Sequence, residues 1–145
     1  MSFFNSMNVS STGLTAQRLR MDIISQNIAN VNTTKTKNGG PYRRKVILFE
    51  EQNNNNFKSI LNDKLDNNSN GGVKVSKIIE DTKPLKRVYD PSHPEANDDG
   101  YVLMPNVNTV EEMVNMISAN RSYEANVTAL NASKSMAMKS LEIGK

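Results

Sequence analysis

Apolar side chains recur about every 3.5 residues through both ends of this chain and nowhere between them. At the N-terminal end Met7, Leu14, Met21 and Ile28 fall on one line, and Phe3, Ser10, Gln17, Ile24 and Val31 on the adjacent one. Such a seam belongs to a helix that packs along another helix. No Pro interrupts it, and Gly13 is its one weak point, costing about 1 kcal/mol relative to Ala. The spacing predicts a helix over 5–31, about 40 Å long. A second seam runs through Met113, Met116, Asn120, Tyr123, Val127, Leu130, Lys134, Ala137 and Leu141. Thr109-Val110-Glu111-Glu112 reads as a capping box, with Thr109 as the cap and Glu112 reaching back to it. The second helix is predicted over 109–143, about 52 Å.

The segment between is made of turns, polar linkers and short strands. Strands are predicted at Tyr42–Phe49, from Val73 to Ile79, at Leu85–Tyr89 and from Tyr101 to Met104. Asp90-Pro91-Ser92-His93-Pro94 and Asp98-Asp99-Gly100 carry turn chemistry. A stretch around 50–72 is Asn-rich and reads as a flexible loop. The expected fold class is mainly α with a small β insert. Long N- and C-terminal helices pack as a coiled-coil-like pair, with a short β-rich middle domain. The segments are 1–32, 33–108 and 109–145.

Composition narrows the function classes. Hydrophobic residues make up 37% of the 145, with no Trp, so one large core is not expected. No Cys is present, which removes disulfides, thiol nucleophiles and thiolate metal sites. The single His93 stands between prolines in a turn without a partner ligand, and Asp98 and Asp99 lack calcium-loop spacing. No metal or cofactor is expected. No nucleophile–base pair or phosphate loop is present, so an enzyme is not expected. A net charge of +3 without a strongly basic segment gives nucleic acid little to hold. Arg43-Arg44-Lys45 reads as a solvated strand edge. No apolar run is long enough for direct membrane insertion. The opening residues lack a basic start and an unbroken apolar stretch, so a cleaved signal peptide is not expected.

The two seams set a physical demand. A lone pair of helices leaves half of each surface wet, and Gln17, Asn120 and Lys134 interrupt the apolar lines. Burial of a large apolar side chain contributes about 1.5–3 kcal/mol, against about 1–2 kcal/mol per residue for ordering the backbone. The ends are therefore expected to order fully only against helices of other subunits.

Ser25-Gln26-Asn27-Ile28-Ala29-Asn30-Val31-Asn32-Thr33 resembles the N-terminal signature of the bacterial flagellar axial proteins, those of the rod, hook and hook-associated segments. Pro105-Asn106-Val107-Asn108, Glu112-Met113-Val114 and Ala119-Asn120-Arg121-Ser122-Tyr123-Glu124-Ala125-Asn126 resemble their C-terminal signature. Gly39-Gly40-Pro41-Tyr42-Arg43, Gly71-Gly72-Val73-Lys74-Val75, and Tyr89-Asp90-Pro91-Ser92-His93-Pro94 with Gly100-Tyr101-Val102, are similar to the proximal-rod type of the flagellar basal-body rod family.

The resemblance implies a structural subunit of the rod that transmits torque from motor to hook, lines the export channel and is required for motility. It implies partners among the other rod proteins and copies of the same chain, and the inner membrane ring or a rod adaptor. It also implies transit through the flagellar type III export apparatus without cleavage, to the rod in the periplasmic space. Expected subunit-interface residues are Met7, Leu14, Met21, Ile24, Ile28, Asn30, Met113, Met116, Arg121, Tyr123, Val127, Leu130 and Leu141. Asn27, Asn30 and Asn32 are expected to cap or bridge at the helix end, and Arg121 and Glu124 to form polar pairs between subunits. The competing reading is a free-standing coiled-coil adaptor or export chaperone, which would bind its clients as a dimer in the cytoplasm.

Overall fold

The computed structural model describes residues 3–37, 39–52 and 71–143. Along the chain the elements are α1 (Phe3–Ala29), β1 (Lys45–Gln52), β2 (Gly72–Glu80), β3 (Lys86–Tyr89), β4 (Tyr101–Met104) and α2 (Thr109–Ile143). Two long terminal helices thus enclose a small β insert in sequence. β1 pairs with β2, and β3 with β4. The second pair is antiparallel and aligns Lys86 with Met104 at one end and Tyr89 with Tyr101 at the other.

Several boundaries differ from the sequence expectation. β1 begins at Lys45, not Tyr42, and continues to Gln52. Tyr42 is left to close the preceding loop, its N–H donating to the Thr33 carbonyl at 3.0 Å. The outermost residues of the predicted Asn-rich loop belong to β1 and β2, and its 53–70 part lies outside the described residues. The cap of α2 is Asn108 and not Thr109. The Asn108 Oδ1 accepts the Val110 N–H at 3.1 Å, and its carbonyl accepts the Glu112 N–H at 2.9 Å. This is the N-cap geometry, in which a side-chain oxygen takes one of the orphan donors of the first turn. Glu112 is consequently one turn inside the helix, where its side chain serves another purpose.

The chain divides into two compact units, and each helix contributes to both. One unit comprises Met1–Leu19, Phe49–Ser76 and Ala119–Lys145. Among the described residues, those buried in it are all small: Ala16, Ala119 and Ser133. A Cβ at Gly13 would lie 3.2 Å from the Asn126 amide, so the residue that weakens α1 in isolation is the one that lets α2 approach. β2 is docked onto α1 through Thr12, whose Oγ1 accepts the Val73 N–H at 3.1 Å and donates to the Val9 carbonyl at 2.8 Å. Glu50 ties the two strands together, accepting from the Ser76 hydroxyl at 2.7 Å and pairing with Lys74 at 3.6 Å.

The other unit comprises Arg20–Leu48 and Lys77–Ser118. It holds the large buried side chains, including Ile23, Ile24, Tyr42, Val102, Pro105 and Val107. Val102 faces inward from β4 opposite Val88, while Tyr89 and Tyr101 meet edge-to-face, ring centres 5.3 Å apart, on the outer side. Gly100 makes the turn into β4 at φ +79°, a conformation that L side chains rarely adopt.

Candidate functional site

Two features of the second unit stand out chemically: a buried polar cluster and an uncovered apolar helix face. The cluster centres on Asn27 in the last turns of α1. Its Nδ2 donates to the Lys45 carbonyl and to Glu112 Oε2, both at 2.9 Å. Its Oδ1 accepts the Lys45 N–H and the Tyr42 hydroxyl, also at 2.9 Å. The carboxamide therefore pairs with the first residue of β1 as a neighbouring strand would. Every hydrogen-bonding position of this fully buried side chain is filled.

Glu112 occupies the far side of the cluster and is 1% exposed. Arg44 holds its Oε1 with Nη2 at 2.6 Å and Nε at 2.9 Å. Arg44 also reaches Asp81 at 3.4 Å and Glu111 at 3.9 Å. Arg44, expected at a solvated edge, is thus drawn into the interior by a carboxylate that would otherwise be buried unpaired. Asn106 completes the frame. Its Oδ1 accepts the Arg44 N–H at 2.8 Å, and its Nδ2 donates to the carbonyls of Asp81 at 3.3 Å and Lys83 at 3.2 Å.

The electrostatics follow from this packing. Burial works against the Arg44 cation, but the hydrogen bonds and charge of Glu112, aided by Glu111 and Asp81, push its pKa up overall. Burial raises the Tyr42 phenol, and Glu112 and Glu80 add to it. The Lys83 backbone N–H holds the Asp81 carboxyl below its ordinary value against some desolvation, and Arg44 adds to the effect. These groups are locked against one another, an arrangement that joins helix ends to a strand and leaves no free acid or base.

The second feature is the outward side of α2. Val110, Met113, Val114 and Ile117 stand at i, i+3, i+4 and i+7, and all are more than half exposed. Glu112, Met116 and Ala119 face the other way, toward the protein. The start of α2 is therefore anchored on one side through the buried Glu112 and leaves an apolar stripe open on the other.

The seam residues separate accordingly. Ile24 is buried in the core of its own unit. Met7, Leu14, Met21, Ile28, Asn30, Met116, Tyr123, Val127 and Leu130 are half-buried, and Met113, Arg121 and Leu141 are exposed. Asn30 turns back on its own helix, donating to the Gln26 carbonyl at 2.8 Å and accepting from the Thr33 hydroxyl at 3.2 Å. Glu124 accepts from Asn120 at 3.1 Å, and Arg121 has no ion pair among the described residues. Val110, Val114 and Ile117 escaped the sequence reading because Met113 had been assigned to the neighbouring seam. Their own spacing was the available signal.

Both ends of the chain match family models. Residues 7–35 match that of the flagella basal body rod protein, and residues 98–143 that of the C-terminal part of the flagellar basal body rod FlgEFG proteins. The chain is 53% identical to the flagellar basal-body rod protein FlgC of Bacillus subtilis over the full length of both. The chain belongs to the FlgC family of flagellar basal-body rod proteins. It is also 54% identical to FlgC of Borreliella burgdorferi, over 99% of this chain and 98% of the relative. Identity to FlgC of Salmonella typhimurium is 39% over the whole of both chains. Members of the FlgC family are structural proteins of the rod and not enzymes, which accords with a polar cluster built as a clasp.

Proposed function

We propose that this FlgC-family chain is a subunit of the proximal rod that carries torque from the motor toward the hook, lines the export channel and is required for motility. The observation that carries this reading is the apolar stripe Val110, Met113, Val114 and Ile117, left uncovered on a helix whose opposite face is packed. A helix that is anchored on one side and still presents a contiguous apolar stripe on the other calls for a second partner. In a rod the neighbouring subunits supply it, and many parallel side-chain contacts, each weak, together resist shear.

Within this reading the exposed seam members Met113, Arg121 and Leu141 meet neighbouring subunits directly, whereas Ile24 serves its own core. The partners are the other rod proteins, further copies of the chain, and the inner membrane ring or its adaptor. The route is the type III export apparatus, uncleaved, to the periplasmic part of the basal body. Among the described residues no helix is long and apolar enough to cross a membrane. The domain reading that accompanies this has the two terminal helices as an axial core and residues 33–108 as an insert.

The test is deletion of the gene with imaging of basal bodies, and localisation of a tagged chain. Loss of rods, with the tagged chain in purified basal bodies, is expected. Intact rods in the deletion strain, or a tagged chain found only as a cytoplasmic dimer bound to export clients, would favour an adaptor or chaperone instead.

A further inference from the structure

The β3–β4 hairpin carries two unlike surfaces at its two ends. At the tip, where Tyr89 aligns with Tyr101, an aromatic pair stands 65% and 45% exposed. The turn leading into it presents Glu95, Asp98 and Asp99, all exposed. At the root, where Lys86 aligns with Met104, a hollow of about 610 Å³ opens, lined among others by Pro84, Pro105 and Val110. Lys83 and Lys86 stand exposed on its wall, and Val110 continues it onto the apolar stripe of α2. Among the described residues none of these five charged side chains has an ion pair within the chain.

Each end thus has an apolar centre beside charges that are opposite in balance: three acidic side chains at the tip, with Lys35 sharing a hollow with Glu95 and Tyr101, and two basic ones at the root. Aromatic side chains with a polar edge are the usual anchors of protein interfaces. Matched charge rims fix orientation and exclude wrong partners. Because the two surfaces lie on one hairpin of one chain, their union between copies is heterologous. Such a contact repeats from copy to copy without self-pairing, as the geometry of a helical assembly requires.

We propose that the hairpin tip of one copy docks into the basic-walled hollow at the hairpin root of a second copy, setting Glu95, Asp98 and Asp99 against Lys83 and Lys86. The occupant of the hollow is another molecule of this same chain. The inference rests on the assembly reading above and names one contact within it.

The test uses purified basal bodies and a zero-length carbodiimide, which joins only carboxylates and amines already in contact. Within one copy the four-residue strands keep tip and root about 10 Å apart, so the diagnostic link lies in a band of twice the chain's mass. Mass spectrometry of that band is expected to find Asp98, Asp99 or Glu95 joined to Lys83 or Lys86. In cells, Asp98→Lys with Asp99→Lys should cut the chain's incorporation into basal bodies at least tenfold. Adding Lys83→Glu with Lys86→Glu to the same chain should restore at least half of it. If Lys83 and Lys86 of an incorporated chain link to another protein, or to no neighbouring copy, the docking is overturned while the assembly reading stands. If the wild-type chain is absent from basal bodies, both fall.

Discussion

Asn27 on α1 and Glu112 on α2, 85 residues apart in sequence, are joined by a buried 2.9 Å hydrogen bond. Through it the end of one helix and the start of the other share one side-chain frame with the first residue of β1.

Replacing Asn27 tests that frame. Asn27→Ala removes four hydrogen bonds and leaves a buried carboxylate oxygen short of a donor, for a loss of about 2–4 kcal/mol. Asn27→Asp is expected to be worse, because it sets a second carboxylate against Glu112 and a bare oxygen against the Lys45 carbonyl. Urea unfolding followed by circular dichroism measures both.

The Arg44–Glu112 pair makes a double-mutant prediction. Arg44→Met strands a charge that is 1% exposed and should cost about 3–5 kcal/mol. Adding Glu112→Leu removes the stranded charge and should recover part of that loss. A double variant no more stable than the single one would show that the pair is not coupled.

Acid should weaken the second unit through its carboxylates. Asp81 is held below its ordinary value of 3.8 chiefly by the Lys83 N–H, and Asp90 chiefly by the Ser92 hydroxyl. A depressed folded-state pKa stabilises the fold above the unfolded value and loses that contribution as pH falls through the folded one. Thermal melts should therefore fall progressively below about pH 4. Asp81→Asn with Asp90→Asn should flatten that part of the profile.

Two glycines are expected to resist substitution for different reasons. At Gly100 the backbone has φ +79°, and a Cβ would meet the Tyr89 ring at 2.9 Å. Gly100→Ala should cost about 1–2 kcal/mol. At Gly72 the obstacle is the Thr12 hydroxyl, 2.5 Å from a Cβ, which also receives the Val73 N–H. Gly72→Ala should therefore be eased by Thr12→Ala, which removes both the hydroxyl and the methyl group 3.1 Å away, whereas Gly100→Ala should not. Thermal denaturation of the single and paired variants checks this.

The stripe on α2 predicts a separation of stability from assembly. Val114→Asn or Ile117→Asn should change monomer stability by no more than about 0.5 kcal/mol, since both side chains already face solvent. The same variants should fail to enter rods, as read by their content in purified basal bodies.

The helices were legible because an apolar period of a few residues is local information, and α2 falls on the predicted 109–143. Its cap was not. Asn108 and Thr109 are both capping residues, each followed three positions later by a glutamate, so the pattern fits two registers. The ambiguity is resolved by Arg44, 68 residues away, which takes Glu112 into the interior. Arg44 itself was misread for the same reason: a guanidinium beside a strand faces water unless a distant carboxylate waits inside. Gly13 was read as a defect of α1, and only its neighbour Asn126 explains it.

Among the described residues of the first unit, those that are buried, Ala16, Ala119 and Ser133, are all small. Helices meeting over such short side chains lie close but interlock only shallowly, Gly13 against Asn126 being the point that marks their register. Shallow contacts of that kind are expected to make this part of the molecule the more compliant of the two, yielding by small slips where the tightly bonded clasp around Asn27 holds.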